Sequence, residues 1–291
     1  MNLALLAFAA GLIAAAAQAE PTVPSQAGWD AARQSITTPD GLTLAYVELG
    51  TGEGTPLILL HGYTDNSRSW SLPATYLGDR PIYALDLRGH GASDAPACCY
   101  GLDSLAHDVV GFMEAKGIGE ADLVGHSLGS MTAAVVAATE PERVNRLVLI
   151  SSAMQMPQAS GDWLRENVLA LQHPIDPDSQ FMLDWYWNPT PVDEDFLARE
   201  RAESAATPQH VWEGVLTALT ITDWSAMAPR IEAPTLILWG DQDGLFGAPE
   251  QEALRAALPE ARFEAFEGLG HNMLWEEPER VGRLLAGFLD E

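Results

Sequence analysis

The chain has 291 residues, 47% of them apolar, enough for one large core or two modest ones. Its formal net charge is −26, and residues 1–19 carry no charged side chain, so all of that charge lies beyond them. Nucleic acid and anionic membrane surfaces would repel such a chain, and neither is expected as a partner.

The first segment, Leu3 to Ala17, is apolar and alanine-rich, and Ala17-Gln18-Ala19 and Glu20 follow it. Small residues at Ala17 and Ala19 fit a secretory cleavage site after Ala19, so residues 1–19 read as a signal peptide. The mature protein is then expected to be secreted or periplasmic. No Lys or Arg precedes the apolar run, which departs from the usual signal. The alternative, a retained anchor, is disfavoured because about fifteen apolar residues fall short of the roughly 20 that span a bilayer. No stable membrane association is expected after cleavage.

Beyond the signal, short apolar runs alternate with amphipathic stretches. Strands are predicted at 42–47, 57–60, 81–86, 122–124, 146–150, 235–239 and 262–266, with helices at 102–116, 128–139, 249–258 and 278–289. Gly50 to Gly54 reads as the turn between the first two strands. Continuous apolar runs such as Leu57-Ile58-Leu59-Leu60 and Leu147-Val148-Leu149-Ile150 suit a sheet covered on both faces. Strand–helix alternation predicts a mostly parallel α/β sheet. Cys98 and Cys99 are adjacent, and neighbouring Cα atoms about 3.8 Å apart favour two free thiols over a strained vicinal disulfide. No C-x-x-C or H-E-x-x-H spacing occurs, so neither a metal nor another cofactor is expected.

The interval from 151 to 234 is far longer than one crossover helix and too long for a structureless loop. Residues 153–233 are therefore expected to form a helical cap, leaving 20–152 and 234–291 as the core. This interval holds five of the nine tryptophans: Trp163, Trp185, Trp187, Trp212 and Trp224. Some must form the cap's own core; one or two should face a pocket, with Trp185 and Trp187 the first candidates for substrate contact.

The strongest local signal is Gly125-His126-Ser127-Leu128-Gly129, which follows a predicted strand and opens a predicted helix. A nucleophile elbow has this context: a sharp turn points the serine hydroxyl above the sheet, and flanking glycines permit the tight crossing. Other motifs follow in order. His61-Gly62-Tyr63 comes after a strand, Asp86-Leu87-Arg88-Gly89-His90-Gly91 after the next, then Gly240-Asp241-Gln242-Asp243 and Gly268-Leu269-Gly270-His271. Together these resemble the α/β-hydrolase superfamily over nearly the whole mature chain. The resemblance implies an eight-stranded-type, mostly parallel sheet with helices on both faces and a helical cap insertion.

Serine is a weak nucleophile until a base takes its proton. His271, on a glycine-flanked loop after the last strand, is the candidate base, while His61, His90 and His126 sit in structural turns. The resemblance places the orienting acid at Asp243 rather than Asp241, and the oxyanion-hole donors at the backbone N–H groups of Tyr63 and Leu128. Asp65, Asn66 and Trp70 are expected to serve loop hydrogen bonding and packing rather than substrate contact. Relatives that cleave epoxides or carbon–halogen bonds carry aspartate at the elbow, so Ser127 points to acyl chemistry. The expected activity is a serine carboxylic-ester hydrolase acting on a small to medium hydrophobic ester. A lactonase is the nearest alternative and a ligand-binding receptor a more distant one. Nothing in the sequence sets the oligomeric state.

Overall fold

The structure, a computed structural model, describes residues 21–291, so the apolar N-terminal run and its expected cleavage position lie outside the described residues. Eight strands form one sheet: β1 (Arg33–Thr37), β2 (Thr43–Leu49), β3 (Leu57–Leu60), β4 (Ile82–Leu85), β5 (Ala121–His126), β6 (Val144–Ile150), β7 (Thr235–Gly240) and β8 (Arg262–Phe266). Their spatial order is β1-β2-β4-β3-β5-β6-β7-β8. The β1–β2 and β2–β4 pairs are antiparallel, and every pair from β4 to β8 is parallel. This is the mostly parallel sheet that the strand–helix alternation predicts.

One strand escapes the apolar pattern. β1 reads Arg-Gln-Ser-Ile-Thr and has no buried residue. It is an edge strand that pairs only with β2, so it never needed an apolar run.

The helices are α1 (Trp29–Ala32), α2 (Leu102–Lys116), α3 (Leu128–Thr139), α4 (Gln158–Val168), α5 (Gln180–Trp185), α6 (Glu194–Ala205), α7 (Gln209–Ile221), α8 (Ala248–Ala257), α9 (Met273–Glu276) and α10 (Pro278–Leu289). α3 is buried from Leu128 to Ala138. A helix enclosed on all sides has no polar stripe: α3 is mostly alanine, valine, leucine and methionine, and the hydroxyls of Ser130 and Thr132 donate to the carbonyls of Ser127 and Leu128. The whole of β3 is buried beside it.

Helices α4 to α7 all come from the long β6–β7 segment. Its two ends meet at a bridge between Gln155 and Asp223, and the Trp224 indole donates to the Ala153 carbonyl at 3.0 Å. Trp212 and Trp224 are buried, whereas Trp163 and Trp187 are 42% and 68% exposed. Cys98 and Cys99, expected as free thiols, are instead joined as a vicinal disulfide. Cys99 has φ 76°, a turn of the backbone that lets adjacent side chains meet where an extended chain would hold them apart.

Candidate active site

Four loops leave the same end of the parallel strands, the end at which open α/β sheets place their sites. The β5–α3 junction carries Ser127 at φ 51° and ψ −117°, a conformation that side-chain-bearing residues rarely adopt. Such strain costs on the order of 1–3 kcal/mol and persists only where the surroundings enforce it. Here the Ser127 N–H donates to the Ile150 carbonyl at the end of β6, at 2.9 Å. The glycines are required by contact: a Cβ on Gly125 would lie 2.3 Å from the Gly129 carbonyl oxygen, and one on Gly129 would lie 2.2 Å from that of Leu60.

His271 stands on the loop after β8, and its Nδ1 is 2.9 Å from Asp243 Oδ2. The other carboxylate oxygen of Asp243 accepts from the backbone N–H groups of Leu245 and Phe246, at 2.8 and 3.1 Å. Burial pushes the Asp243 carboxyl up, but the charge and hydrogen bond of His271 and the two amides outweigh it, holding the group below its usual range. Asp241 is differently occupied, accepting from the Gly268 N–H at 2.8 Å and from Gln242. It braces the β7 and β8 loops against each other.

Ser127 and His271 line one cavity of about 350 Å³, with Gly62 and Tyr63 of the β3 loop on its wall. Leu128 opens α3, so its N–H is among those with no acceptor inside the helix. Trp185 and Trp187 also line this cavity. The structure thus brings Ser127, His271, Asp243, Tyr63, Leu128 and both tryptophans to one place. With Nδ1 held by a carboxylate, the remaining nitrogen of His271 is free to take a proton, and a hydroxyl on the neighbouring elbow can supply one.

Two other histidines serve as struts, His61 and His90, the latter with Nδ1 3.0 Å from the Arg88 carbonyl oxygen. His61 accepts from the Leu87 N–H at 2.9 Å and donates to the Gly62 carbonyl at 2.7 Å, which fixes its tautomer. Burial, then the neighbouring His90, pushes it well below the imidazole range. The Asp86 turn is anchored in the same manner, accepting from the N–H groups of Ser67 and Ala92 and pairing with Arg33.

Several residues that the sequence did not mark as site residues join the cavity. Trp163 and Trp275 line it, and so do Asp65 and His126. The β6–β7 segment is sewn onto the β3 loop: Trp185 donates to Thr64 at 3.1 Å, Tyr186 to Asp65 at 2.9 Å, and Tyr63 to the Trp212 carbonyl at 2.5 Å. Buried Glu276 accepts from the N–H groups of Gly270 and Thr190, tying the His271 loop to that segment. Asp65, expected from the sequence to serve loop hydrogen bonding, does accept from Tyr186 and in addition lines the cavity.

The fold and site define a class: a mostly parallel, helix-covered sheet presenting serine, histidine and aspartate above its strand ends. The chain belongs to the alpha/beta hydrolase fold family, which matches residues 55–278. It is 31% identical over 86% of its length to the dihydrolipoyllysine-residue acetyltransferase component of the acetoin cleaving system of Pseudomonas putida, covering 67% of that protein. It is 28% identical over 85% of its length to a 2-hydroxy-6-oxononadienedioate/2-hydroxy-6-oxononatrienedioate hydrolase of Burkholderia vietnamiensis, covering 91% of it. Among solved structures, a membrane phospholipase A superposes with a TM-score of 0.78 at 30% identity, over 89% of this chain and 85% of that one. The family, the Burkholderia hydrolase and the phospholipase support hydrolysis as the reaction class, whereas the Pseudomonas putida relative is named for acetyl transfer.

Proposed function

We propose that the protein is a carboxylic-ester hydrolase working through an acyl-enzyme on Ser127. His271 takes the Ser127 proton as the oxygen attacks the ester carbonyl, and Asp243 fixes the imidazole tautomer and stabilises the charge it gains. The backbone N–H groups of Tyr63 and Leu128 receive the oxyanion, a contribution of a few kcal/mol in such sites. His271 returns its proton to the leaving alkoxide, and a water activated by the same imidazole then releases the acid and restores Ser127. The β6–β7 segment, residues 153–233, acts as a cap. The aromatic rings it contributes suit a small to medium hydrophobic ester.

The observation that carries this reading is the 2.9 Å pairing of His271 with the buried Asp243, beside the strained Ser127 elbow on a shared cavity. A lactone is the second reading, because ring opening uses the same attack and the same donors. The N-terminal run supports export with cleavage after Ala19, which N-terminal sequencing of the mature protein would test. The decisive assay is a panel of p-nitrophenyl esters of graded chain length with lactones alongside, on wild type and Ser127→Ala. Ser127→Ala should lose on the order of 10⁴ or more in turnover with its fold intact. Retention of more than about a tenth of the wild-type rate would remove Ser127 from the mechanism.

A further inference from the structure

One buried polar side chain at the end of β6 takes no part in that cycle. Ser151 follows Ile150, is fully buried, and holds φ 48°. Glycine fits that left-handed region without strain, whereas a residue with a Cβ is disfavoured there. The Ser151 N–H donates to the Leu238 carbonyl of β7 at 2.9 Å, which pins the turn. Serine at such a position points to a use for its hydroxyl. That hydroxyl donates to the His271 carbonyl oxygen at 2.7 Å.

A second donor meets the same oxygen. His126 Nε2 is 3.0 Å from it, and because a carbonyl only accepts, Nε2 carries the hydrogen. Both donors are indexed to the nucleophile. His126 precedes Ser127 and stands opposite Ile150 in the parallel β5–β6 register, and the Ile150 carbonyl holds the Ser127 N–H. Ser151 is the next residue along. The main chain of His271 is therefore gripped by two side chains whose backbones form or adjoin the elbow. The imidazole needs such a reference. Asp243 holds Nδ1, and the rings of His126 and Phe246 lie 5.1 and 5.5 Å from it between centroids. These contacts fix how the ring is turned. The loop beneath it has glycines at 268 and 270, so the height of its backbone over Ser127 needs a separate tie.

We propose that Ser151 is a positioning residue for the reaction: by donating to the His271 carbonyl, it sets the distance of the imidazole from Ser127. The inference rests on the acyl-enzyme reading of the site. A proton passes from Ser127 to His271 only within hydrogen-bond reach, and misplacement by about 1 Å costs on the order of a hundredfold in rate. Ser151 does not line the cavity, so its hydroxyl acts on the rate of the bound complex and not on substrate binding.

Ser151→Ala removes the hydroxyl and keeps the Cβ, and the His271 carbonyl retains its bond from His126, so no buried acceptor is orphaned. With the p-nitrophenyl ester that wild type turns over best, kcat should fall about tenfold while KM stays within about twofold. The same change in a His271→Ala background should alter the residual rate by less than about twofold, because Ser151 acts only through that imidazole. A kcat within about twofold of wild type overturns the proposal, and so does an equal loss in both backgrounds. A loss carried by KM alone overturns it as well. Should Ser151→Ala fail to fold, Ser151→Gly, which suits the left-handed backbone, takes its place with the same expectations. A second readout is independent of ester turnover: phosphonylation of Ser127 by a fluorophosphonate, which needs the same proton transfer. Its second-order rate constant should also fall about tenfold in Ser151→Ala. If no ester or lactone is hydrolysed, the hydrolase reading fails and this rate alone decides. An unchanged rate, or no labelling of wild type, then overturns the positioning role.

Discussion

Replacing Asp65 with asparagine should flatten the dependence of stability on pH, and the direction follows from where the carboxyl sits. Burial raises it from 3.8 to about 7 in the folded protein. Between those values the folded state binds more protons than the unfolded chain, so stability falls as pH rises. The contribution is fully present below the unfolded value and is lost as pH climbs through the folded one. A gap of about three units, at about 1.4 kcal/mol each, sets an upper figure of roughly 4 kcal/mol. Asparagine keeps the shape and an acceptor for Tyr186 but never ionises. Its melting temperature should lie close to that of wild type near about pH 4.5 and exceed it by several degrees near about pH 8, at the roughly 2–4 °C per kcal/mol usual for a chain of this size. Scanning calorimetry at constant ionic strength measures this directly. A difference that stays flat across the range, or shrinks as pH rises, refutes the claim that the fold favours the protonated acid.

Three further outcomes are expected. Asp243→Asn should cut turnover far more than Asp241→Asn, because only Asp243 holds His271 and Asp241 braces the Gly268 turn; steady-state rates of the two variants rank them, and the reverse ranking would move the acid. Trp212→Ala should cost roughly 3–5 kcal/mol in denaturant unfolding, since the ring is fully buried, while Trp185→Ala on the cavity wall should alter chain-length preference more than stability; uniform destabilisation with unchanged relative rates would make Trp185 core alone. In 1 M NaCl the melting temperature should rise by several degrees over low-salt buffer, because 41 carboxylates face 15 cations and arginines such as Arg33 are already committed to Asp86 and Glu203; a flat or falling trend would show that the acidity is no net load.

The sequence by itself determined the parts governed by short-range rules. Burial on both faces of the sheet demands continuous apolar strands, and Leu57–Leu60 declares itself for that reason. A turn as tight as that at Ser127 demands glycines at 125 and 129, so the elbow is legible in five residues. Tertiary structure alone decided what depends on distant segments meeting. β1 is invisible locally because an edge strand takes its pairing from β2 and needs no apolar signature. The reading of Asp65 as a loop residue widens to the cavity wall only because Tyr186, 121 positions away, and His126, on the elbow, close around it. A carboxylate in a polar loop and one pressed into a cavity are the same letter. Burial and partners make the difference, and both are supplied by the fold rather than by neighbouring residues.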